Sequence, residues 1–276
     1  MKRIRDWKHI YFQLCILCVV ALLNVFINIP EVIIRLINGA AVYLSDLPWK
    51  LRVVIGSGRL VLAVIIIAFV YYFLIWKPNR KKCLRQNLSN SSVWHSYFGY
   101  WVCRYVFNYQ TISLTRVPIP VQFQLVWKDI FEKYEYMENV SEKTDDDSVS
   151  VEMIQTDPYT STVNLILCDT YRLDNWQELI PASTTSLSTI VIQRNDVEGV
   201  RYYSKEFITT IMKIFRSLPA TVTDINVFAT VNTAHVYHLV NEVLKTGRNK
   251  LNIVTVYQQT SSWDFNGKKT TIKIGG

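Results

Sequence analysis

The chain has 276 residues, which is enough for one membrane module and one domain of ordinary size, and argues against a multi-domain enzyme. Its net charge of +8 is unevenly placed: residues 1–85 hold thirteen Lys or Arg against three Asp or Glu, whereas the remainder holds seventeen against nineteen. The basic charge therefore belongs to the N-terminal part, and residues 86–276 give no indication of binding a DNA or RNA polymer.

Two uncharged, mostly apolar stretches lie in the N-terminal part, at residues 10–29 and 60–76. A helix of about 20 apolar residues crosses the hydrocarbon core of a bilayer. The first stretch is too long for the apolar part of a signal peptide, and no small-residue cleavage site precedes Glu31. The sequence therefore predicts that residues 1–85 are a membrane anchor of two transmembrane α-helices.

Basic residues flank this predicted anchor on both sides. They are Lys2, Arg3, Arg5 and Lys8 before the first span, and Lys77, Arg80, Lys81, Lys82 and Arg85 after the second. By the positive-inside rule both flanks lie in the cytoplasm, and so do both termini. No ionisable residue lies within either span, so the pattern predicts a plain anchor in the lipid bilayer rather than a transport path.

The segment after the anchor is predicted to begin with a linker at residues 90–92, followed by an aromatic run that favours a core or an oligomer surface. Residues 121–127 alternate apolar and polar side chains after two prolines, which predicts a strand. The consecutive aspartates at residues 145–147 lack the alternating spacing of a calcium loop, so we interpret them as an exposed turn.

From Thr162 onward the pattern is regular. Four short runs rich in β-branched residues have the composition of buried strands, at residues 163–168, 189–192, 225–229 and 251–257. Apolar positions at helical spacing separate them, at residues 203–215 and 233–245. This alternation predicts that residues 86–276 form a soluble, Rossmann-like α/β domain with a mostly parallel sheet.

Ligand sites in such a sheet gather at the carboxyl ends of the strands. The polar side chains that follow the first three predicted strands are Asp169, Thr170, Tyr171, Arg172, Gln193, Arg194, Thr230, Asn232 and Thr233. Arginine and a helix N-terminus suit phosphate, carboxylates and amides suit base edges, and tyrosine suits stacking. We therefore predict a nucleotide-binding site from these nine residues, although strand-end loops are often polar without binding anything.

Motifs of catalysis and of phosphate binding are missing from the sequence: it has no G-x-x-x-x-G-K-[ST], no G-x-G-x-x-G, no G-x-S-x-G and no H-E-x-x-H. Cys15 and Cys18 lie inside an apolar stretch, and His235 and His238 have no ligand-type neighbours in sequence. We therefore expect no catalytic residue, no metal and no cofactor, and the chain is not predicted to be an enzyme.

The stretch Ile225-Asn-Val-Phe-Ala-Thr-Val-Asn-Thr-Ala-His-Val-Tyr-His-Leu, continued through Lys250-Leu-Asn-Ile-Val-Thr-Val-Tyr257, resembles the C-terminal part of SAVED domains. These are the sensors of bacterial cyclic-oligonucleotide anti-phage (CBASS) systems. In this stretch, as in the C-terminal part of SAVED domains, a strand leads through a small-residue turn into a helix and then into a strand that ends in tyrosine. Joined to two membrane helices, the sequence is similar to the two-transmembrane SAVED effectors.

This resemblance implies a CARF-related fold, a cyclic oligonucleotide as ligand, and self-association into homo-oligomers. It also implies disruption of the bacterial inner membrane, where the protein would be a multi-pass component. Whether the sensor contains one CARF-like unit or two stays open. Two rivals also stay open: a membrane-anchored nucleotide-processing enzyme that uses Asp169, and a membrane scaffold without a ligand.

Overall fold

The computed structural model describes residues 6–26, 61, 63–85, 96–136, 141–142, 148–154, 160–195, 202–247 and 251–274. The chain divides into two compact units: Met1–Leu88 with Trp101–Thr111, and Ser89–Tyr100 with Ile112–Gly276. The predicted linker at residues 90–92 and the acidic turn at residues 145–147 lie outside the described residues, as do residues 27–29, 60 and 62 of the predicted spans.

The first unit contains helix α1 (Asp6–Phe26) and helix α2 (residues 63–79), which widens into a π-helix at Tyr71–Trp76 before its last turn, Lys77–Asn79. Gln13 and Asn79 are both buried, and each side-chain amide donates to the other, at 3.0 and 2.9 Å. Within the part of the chain that the structure describes, no helix is both long and apolar enough to cross a membrane.

The second unit is built on a six-stranded sheet. Numbered through both units, the strands of the described residues are β1 (Cys83–Leu84), β2 (Thr111–Ser113), β3 (Lys133–Glu135), β4 (Ser141–Glu142), β5 (Val149–Ile154), β6 (Thr162–Cys168), β7 (Thr189–Arg194), β8 (Tyr202–Tyr203), β9 (Asp224–Thr230), β10 (Ile253–Tyr257) and β11 (Lys269–Lys273). The large sheet has the order β11-β10-β9-β6-β7-β5. Its four inner strands are parallel and its two edge strands are antiparallel, which confirms the mostly parallel sheet.

The remaining helices are α3 (Tyr97–Tyr105), α4 (Ile119–Trp127), α5 (Trp176–Leu179), α6 (Lys205–Ser217) and α7, which runs from Thr233–His238 through a π-helical part, Leu239–Leu244, to Lys245–Gly247. Two of them begin at side-chain caps. The Ser204 hydroxyl accepts from the Phe207 N–H at 3.2 Å, and the side-chain oxygen of Asn232, Oδ1, accepts from the His235 N–H at 2.9 Å. Each cap satisfies an N–H group that the helix itself leaves free.

Helices cover both faces of the sheet. Apolar residues of α4, α6 and α7 pack on one face against Leu165, Val227 and Val254. The other face packs against Trp176 of α5 and against Phe265, which follows β10. The chain passes from β6 to β7 through α5, then returns past β6 to β9 through α6 on the opposite face. Strand order therefore reverses at β6, and the switch point of the sheet lies between β6 and β9.

The predicted strand at residues 121–127 is wrong, because these residues belong to α4. Pro118 is the N-cap of this helix and Pro120 lies in its first turn, where the N–H that proline lacks has no helical partner to lose. The alternation predicted polar residues on a solvent face, yet Gln122 is buried and its side-chain amide donates to the Val117 carbonyl at 2.6 Å.

Candidate functional site

The carboxyl ends of β6 and β9 lie level with each other at the switch point. Register pairs the last residue of β6, Cys168, with the last residue of β9, Thr230. Beyond these strands the two loops are also joined, since the Thr170 N–H donates to the Thr230 carbonyl at 2.9 Å. The Thr230 hydroxyl donates to the Tyr171 carbonyl at 3.0 Å. These contacts bring together the predicted site residues that follow β6 and those that follow β9.

Asp169 lies at the centre of a buried polar cluster formed with Arg194, Asn232 and His235. Its Oδ1 lies 2.7 Å from Arg194 Nη1. Its Oδ2 accepts from the Asn232 backbone N–H at 3.0 Å and from the Asn232 side-chain amide at 2.8 Å, and lies 2.7 Å from His235 Nδ1. All four residues are at most 5% exposed. Because the charges of Asp169 and Arg194 balance, the cluster is buried without a net charge from this pair.

His235 connects the start of α6 to the start of α7. The Ser204 backbone N–H donates to His235 Nε2 at 2.8 Å, so this nitrogen carries no proton. We therefore assign the neutral tautomer with the proton on Nδ1, which donates to Asp169. The imidazole therefore links the N-cap residue of α6, Ser204, to the Asp169 carboxylate. The same carboxylate accepts a hydrogen bond from the N-cap residue of α7, Asn232.

Arg194 is the largest of the fully buried side chains. Its Nη1 donates to the Tyr202 carbonyl at 3.1 Å, and its guanidinium carbon lies 3.8 Å from the centre of the Tyr202 ring. Among the described residues, Nε and Nη2 have no hydrogen-bond partner. In this conformation Arg194 therefore contacts Asp169 and Tyr202, and is not presented to a phosphate in solvent.

The nine predicted site residues thus fall into two groups. Those that are buried at the carboxyl edge are Asp169, Thr170, Arg194, Thr230 and Asn232. Those that a ligand in solvent can reach are Tyr171, Arg172, Gln193 and Thr233, of which the first two are exposed and the last two are half-buried. The first group can hold the loops in place, and the second group can touch a ligand.

Aromatic side chains that the sequence did not single out lie beside this edge. Tyr136 stacks on Tyr237 with ring centroids 4.1 Å apart, and Tyr203 lies 4.5 Å from the His238 ring. Thr233 connects to this cluster, since its hydroxyl donates to the Tyr136 carbonyl at 2.7 Å. The four rings come from three separate segments, so no local sequence pattern brings them together.

Trp263 is a second residue that the sequence did not indicate. It is 55% exposed and lies in the loop after β10, with its ring centroid 5.5 Å from that of Tyr171 in an edge-to-face arrangement. Its neighbours in sequence are polar, so neither strand nor helix periodicity drew attention to it. The one available signal was a tryptophan placed directly after a predicted strand and its polar turn.

A cavity of about 200 Å³ lies at the opposite edge of the sheet. Its lining includes Met153, Val163, Ile190, Leu218 and Val222, from the outer strand, the amino ends of β6 and β7 and the turn that precedes β9. The lining is mostly apolar and contains no charged side chain. It includes none of the nine predicted residues. We therefore place the candidate site at the carboxyl edge of the sheet, where those residues lie.

Comparisons with known proteins give one family and a set of structural likenesses. The family model described as "SMODS- and Ubiquitin system-associated 2TM effector domain" matches residues 1–272. No curated protein matches the chain. Solved structures that resemble it include the Acinetobacter baumannii Cap4 SAVED/CARF-domain containing receptor with the cyclic trinucleotide 2'3'3'-cAAA (8% identity) and with 3'3'3'-cAAA (6% identity), both at a TM-score of 0.38. Each likeness covers 60% of this chain and spans 38% of the receptor chain.

Proposed function

Since the chain belongs to the family of SMODS- and ubiquitin-system-associated 2TM effector domains, we propose that it is a membrane effector controlled by a cyclic oligonucleotide. In this proposal residues 10–29 and 60–76 span the bacterial inner membrane, and both termini lie in the cytoplasm. Residues 86–276 form the sensor. Ligand binding bridges sensors into homo-oligomers, and the gathered transmembrane helices disrupt the membrane in anti-phage defence.

The observation that carries the sensor part is the structure of the switch point. Open α/β sheets bind ligands in the crevice outside the carboxyl ends of the strands where the strand order reverses. Here that place lies between β6 and β9, and Asp169 and Asn232 order the loops on its two sides. Tyr171 and Arg172 are exposed in the first of these loops, with a ring for stacking and a cation for phosphate.

The first unit supports the membrane part. Large apolar side chains of α1 and α2 are 45 to 61% exposed, among them Tyr11, Phe12, Leu22, Phe69, Phe73 and Leu74. Exposed apolar surface of this extent is costly in water and is satisfied by lipid. The basic residues from Lys77 to Lys82 directly follow α2's apolar part, as expected at the cytoplasmic face of a membrane.

The proposed mechanism needs no bond to be made or broken. A ligand shifts the protein toward the assembled state only as far as it binds that state more tightly than the single subunit. In this proposal the ligand contacts groups at the carboxyl edge of the sensor. The free energy gained by its tighter binding to the assembled state brings several membrane anchors together. No catalytic residue has a role in these steps, so the proposal excludes turnover of the ligand.

The test uses the full chain in liposomes that contain a self-quenched dye, with a panel of cyclic di- and trinucleotides. We expect one ligand to cause dye release and an increase in particle mass in detergent, and to be recovered intact. That ligand at 100 times its Kd should stabilise the folded protein by about 2.7 kcal/mol. The matched control is the linear oligonucleotide of the same bases.

Two outcomes would contradict the proposal. Assembly and dye release that are the same with and without ligand would favour a scaffold. Conversion of the labelled nucleotide into a product would favour the membrane-anchored enzyme that processes nucleotides.

A further inference from the structure

Trp263 and Tyr171 come from loops on either side of β9. Tyr171 follows β6, Trp263 follows β10, and β9 is the strand between these two in the sheet. Their rings meet edge to face at an interplanar angle of 83°, with centroids 5.5 Å apart. In such a pair one ring contributes its edge, so this contact occupies neither face of that ring.

The loop that carries Trp263 is ordered by its own hydrogen bonds. The Thr260 N–H donates to the Asp264 carbonyl at 2.7 Å, and the Trp263 N–H donates to the Thr260 carbonyl at 3.1 Å. The Gln259 side-chain amide donates to the Trp263 carbonyl at 3.1 Å. Phe265 anchors the loop, because its ring is fully buried against Phe228 and its N–H donates to the Leu179 carbonyl at 2.7 Å.

Trp263 has a φ of 69°, in the left-handed region that bulky residues rarely adopt. Conformations of this kind cost free energy and persist where the surrounding structure imposes them. Here the imposed conformation goes with a tryptophan that is 55% exposed. A fold that only had to close this loop would gain by placing glycine or asparagine at this position.

The charges beside the two rings are mixed. Arg172 follows Tyr171 in sequence, and Lys269 lies 5.5 Å from the centre of the Tyr257 ring. Asp174 is close in sequence to Tyr171, and Asp264 follows Trp263. Charge alone therefore does not define a site for free phosphate. The two exposed aromatic residues, Tyr171 and Trp263, are the stronger signal, and the partner they suit is flat and aromatic.

From these observations we infer that Trp263, paired with Tyr171, stacks on a nucleobase of the cyclic oligonucleotide. The inference rests on the proposed function and assigns it a contact surface. The ligand approaches the face of the sheet that carries Phe228 and Phe265, over the end of β9. The buried cluster of Asp169, Arg194, Asn232 and His235, on the opposite side of the same strand ends, then positions Tyr171 without touching the ligand.

The experiment measures binding of each cyclic di- and trinucleotide of the panel to the full chain in detergent by titration calorimetry. Trp263→Ala should weaken binding of the recognised ligand by roughly 5- to 150-fold, the loss that removal of one base–aromatic stack produces. Trp263→Phe should retain most of the affinity. Met153→Ala, at an exposed apolar residue of the opposite edge strand, is the matched control and should bind as the wild type does.

A second readout separates direct contact from a change in fold. Base stacking quenches indole fluorescence, so ligand should quench the wild-type protein and should quench Trp263→Phe less while still binding to it. Equal affinity of Trp263→Ala and wild type, with equal unfolding temperatures, would overturn the inference and leave the proposed function intact. Failure of the folded wild type to bind any member of the panel would instead overturn the proposed function, and the inference with it.

Discussion

Asn232 donates both its backbone N–H and its side-chain amide to the same oxygen of Asp169, Oδ2, at 3.0 and 2.8 Å. The two residues are 63 positions apart in sequence and lie at the ends of neighbouring parallel strands. Asp169 Oδ2 thus keeps hydrogen-bond partners in the interior, and its other oxygen, Oδ1, is balanced by an ion pair with Arg194. The loops on both sides of the switch point are therefore tied to one side chain.

Asp169→Asn tests this tie, because it keeps the shape of the side chain and removes its charge. Arg194 would then be a buried cation without its anionic partner, which costs about 3 to 5 kcal/mol. We expect the unfolding temperature of the detergent-solubilised chain, measured by circular dichroism, to fall. Asp174→Asn, at an exposed carboxylate of the same loop, is the control and should change little; equal stability of the two variants would contradict the assigned role.

Replacing both charges separates structure from ligand binding. The variant with Asp169→Asn and Arg194→Met should be within about 2 kcal/mol of the wild type, although Asp169→Asn alone is strongly destabilising, since the amide oxygen still accepts from Asn232 and His235 and a buried ion pair often exchanges for neutral groups at little cost. If Tyr171 and Trp263 make the ligand contacts, this double variant should also retain binding. Loss of binding in a folded double variant would show that Asp169 or Arg194 touches the ligand.

The amide pair between Gln13 and Asn79 makes a similar prediction for the first unit. Gln13→Leu leaves the buried Asn79 amide without this partner, which should destabilise the folded state by about 1 to 3 kcal/mol. Changing both residues to leucine should recover part of the loss. Thermal unfolding of the single variants and the double variant in detergent measures the coupling, and strictly additive losses would mean that the pair contributes nothing.

Cys168 predicts a pH dependence. Burial at the end of β6 raises the pKa of its thiol to about 12 from an ordinary value of 9.0. Between these pH values the folded state holds a proton that the unfolded state releases, so stability is fully present below pH 9 and falls as the pH rises toward 12. Cys168→Ala should make the fall with pH shallower in chemical denaturation, whereas Cys83→Ala, at a less buried thiol, is the comparison. Unchanged slopes would contradict the prediction.

The same thiol should resist alkylation in the folded protein at pH 8, because the thiolate is the reactive form and the side chain is 2% exposed. Mass spectrometry after iodoacetamide treatment measures it. Modification of Cys168 as fast as that of the partly exposed Cys83, which lies outside both proposed spans, would show that the carboxyl edge opens readily.

The inner strands could be predicted from the sequence because burial on both faces leaves mostly apolar runs, as at residues 163–168 and 225–229. The edge strands could not. Residues of β5 are mostly exposed and β11 carries Lys269 and Lys273 at its ends, so neither has an apolar run. Lysine on an edge strand limits pairing with other chains, which is a reason for this composition that a search for buried strands cannot detect.

The site was predictable to the extent that strand ends define it. Asp169, Tyr171 and Asn232 were found because each follows an apolar run. Burial of Arg194 was not predictable, since it depends on Tyr202 from a separate short strand. The kinship with two-transmembrane effectors, expected from the sequence, is confirmed by the family match over residues 1–272.

The central position of β6 has a consequence for synthesis of the chain. This strand pairs with β7 on one side, but its other partner, β9, begins only at Asp224. Until that segment leaves the ribosome, one edge of a mostly apolar strand is unpaired. Such open edges are prone to aggregation, and pairing between segments distant in sequence is slow. Pairing of β6 with β9 can therefore occur only after most of the chain, including the N-terminal residues 1–85, has left the ribosome.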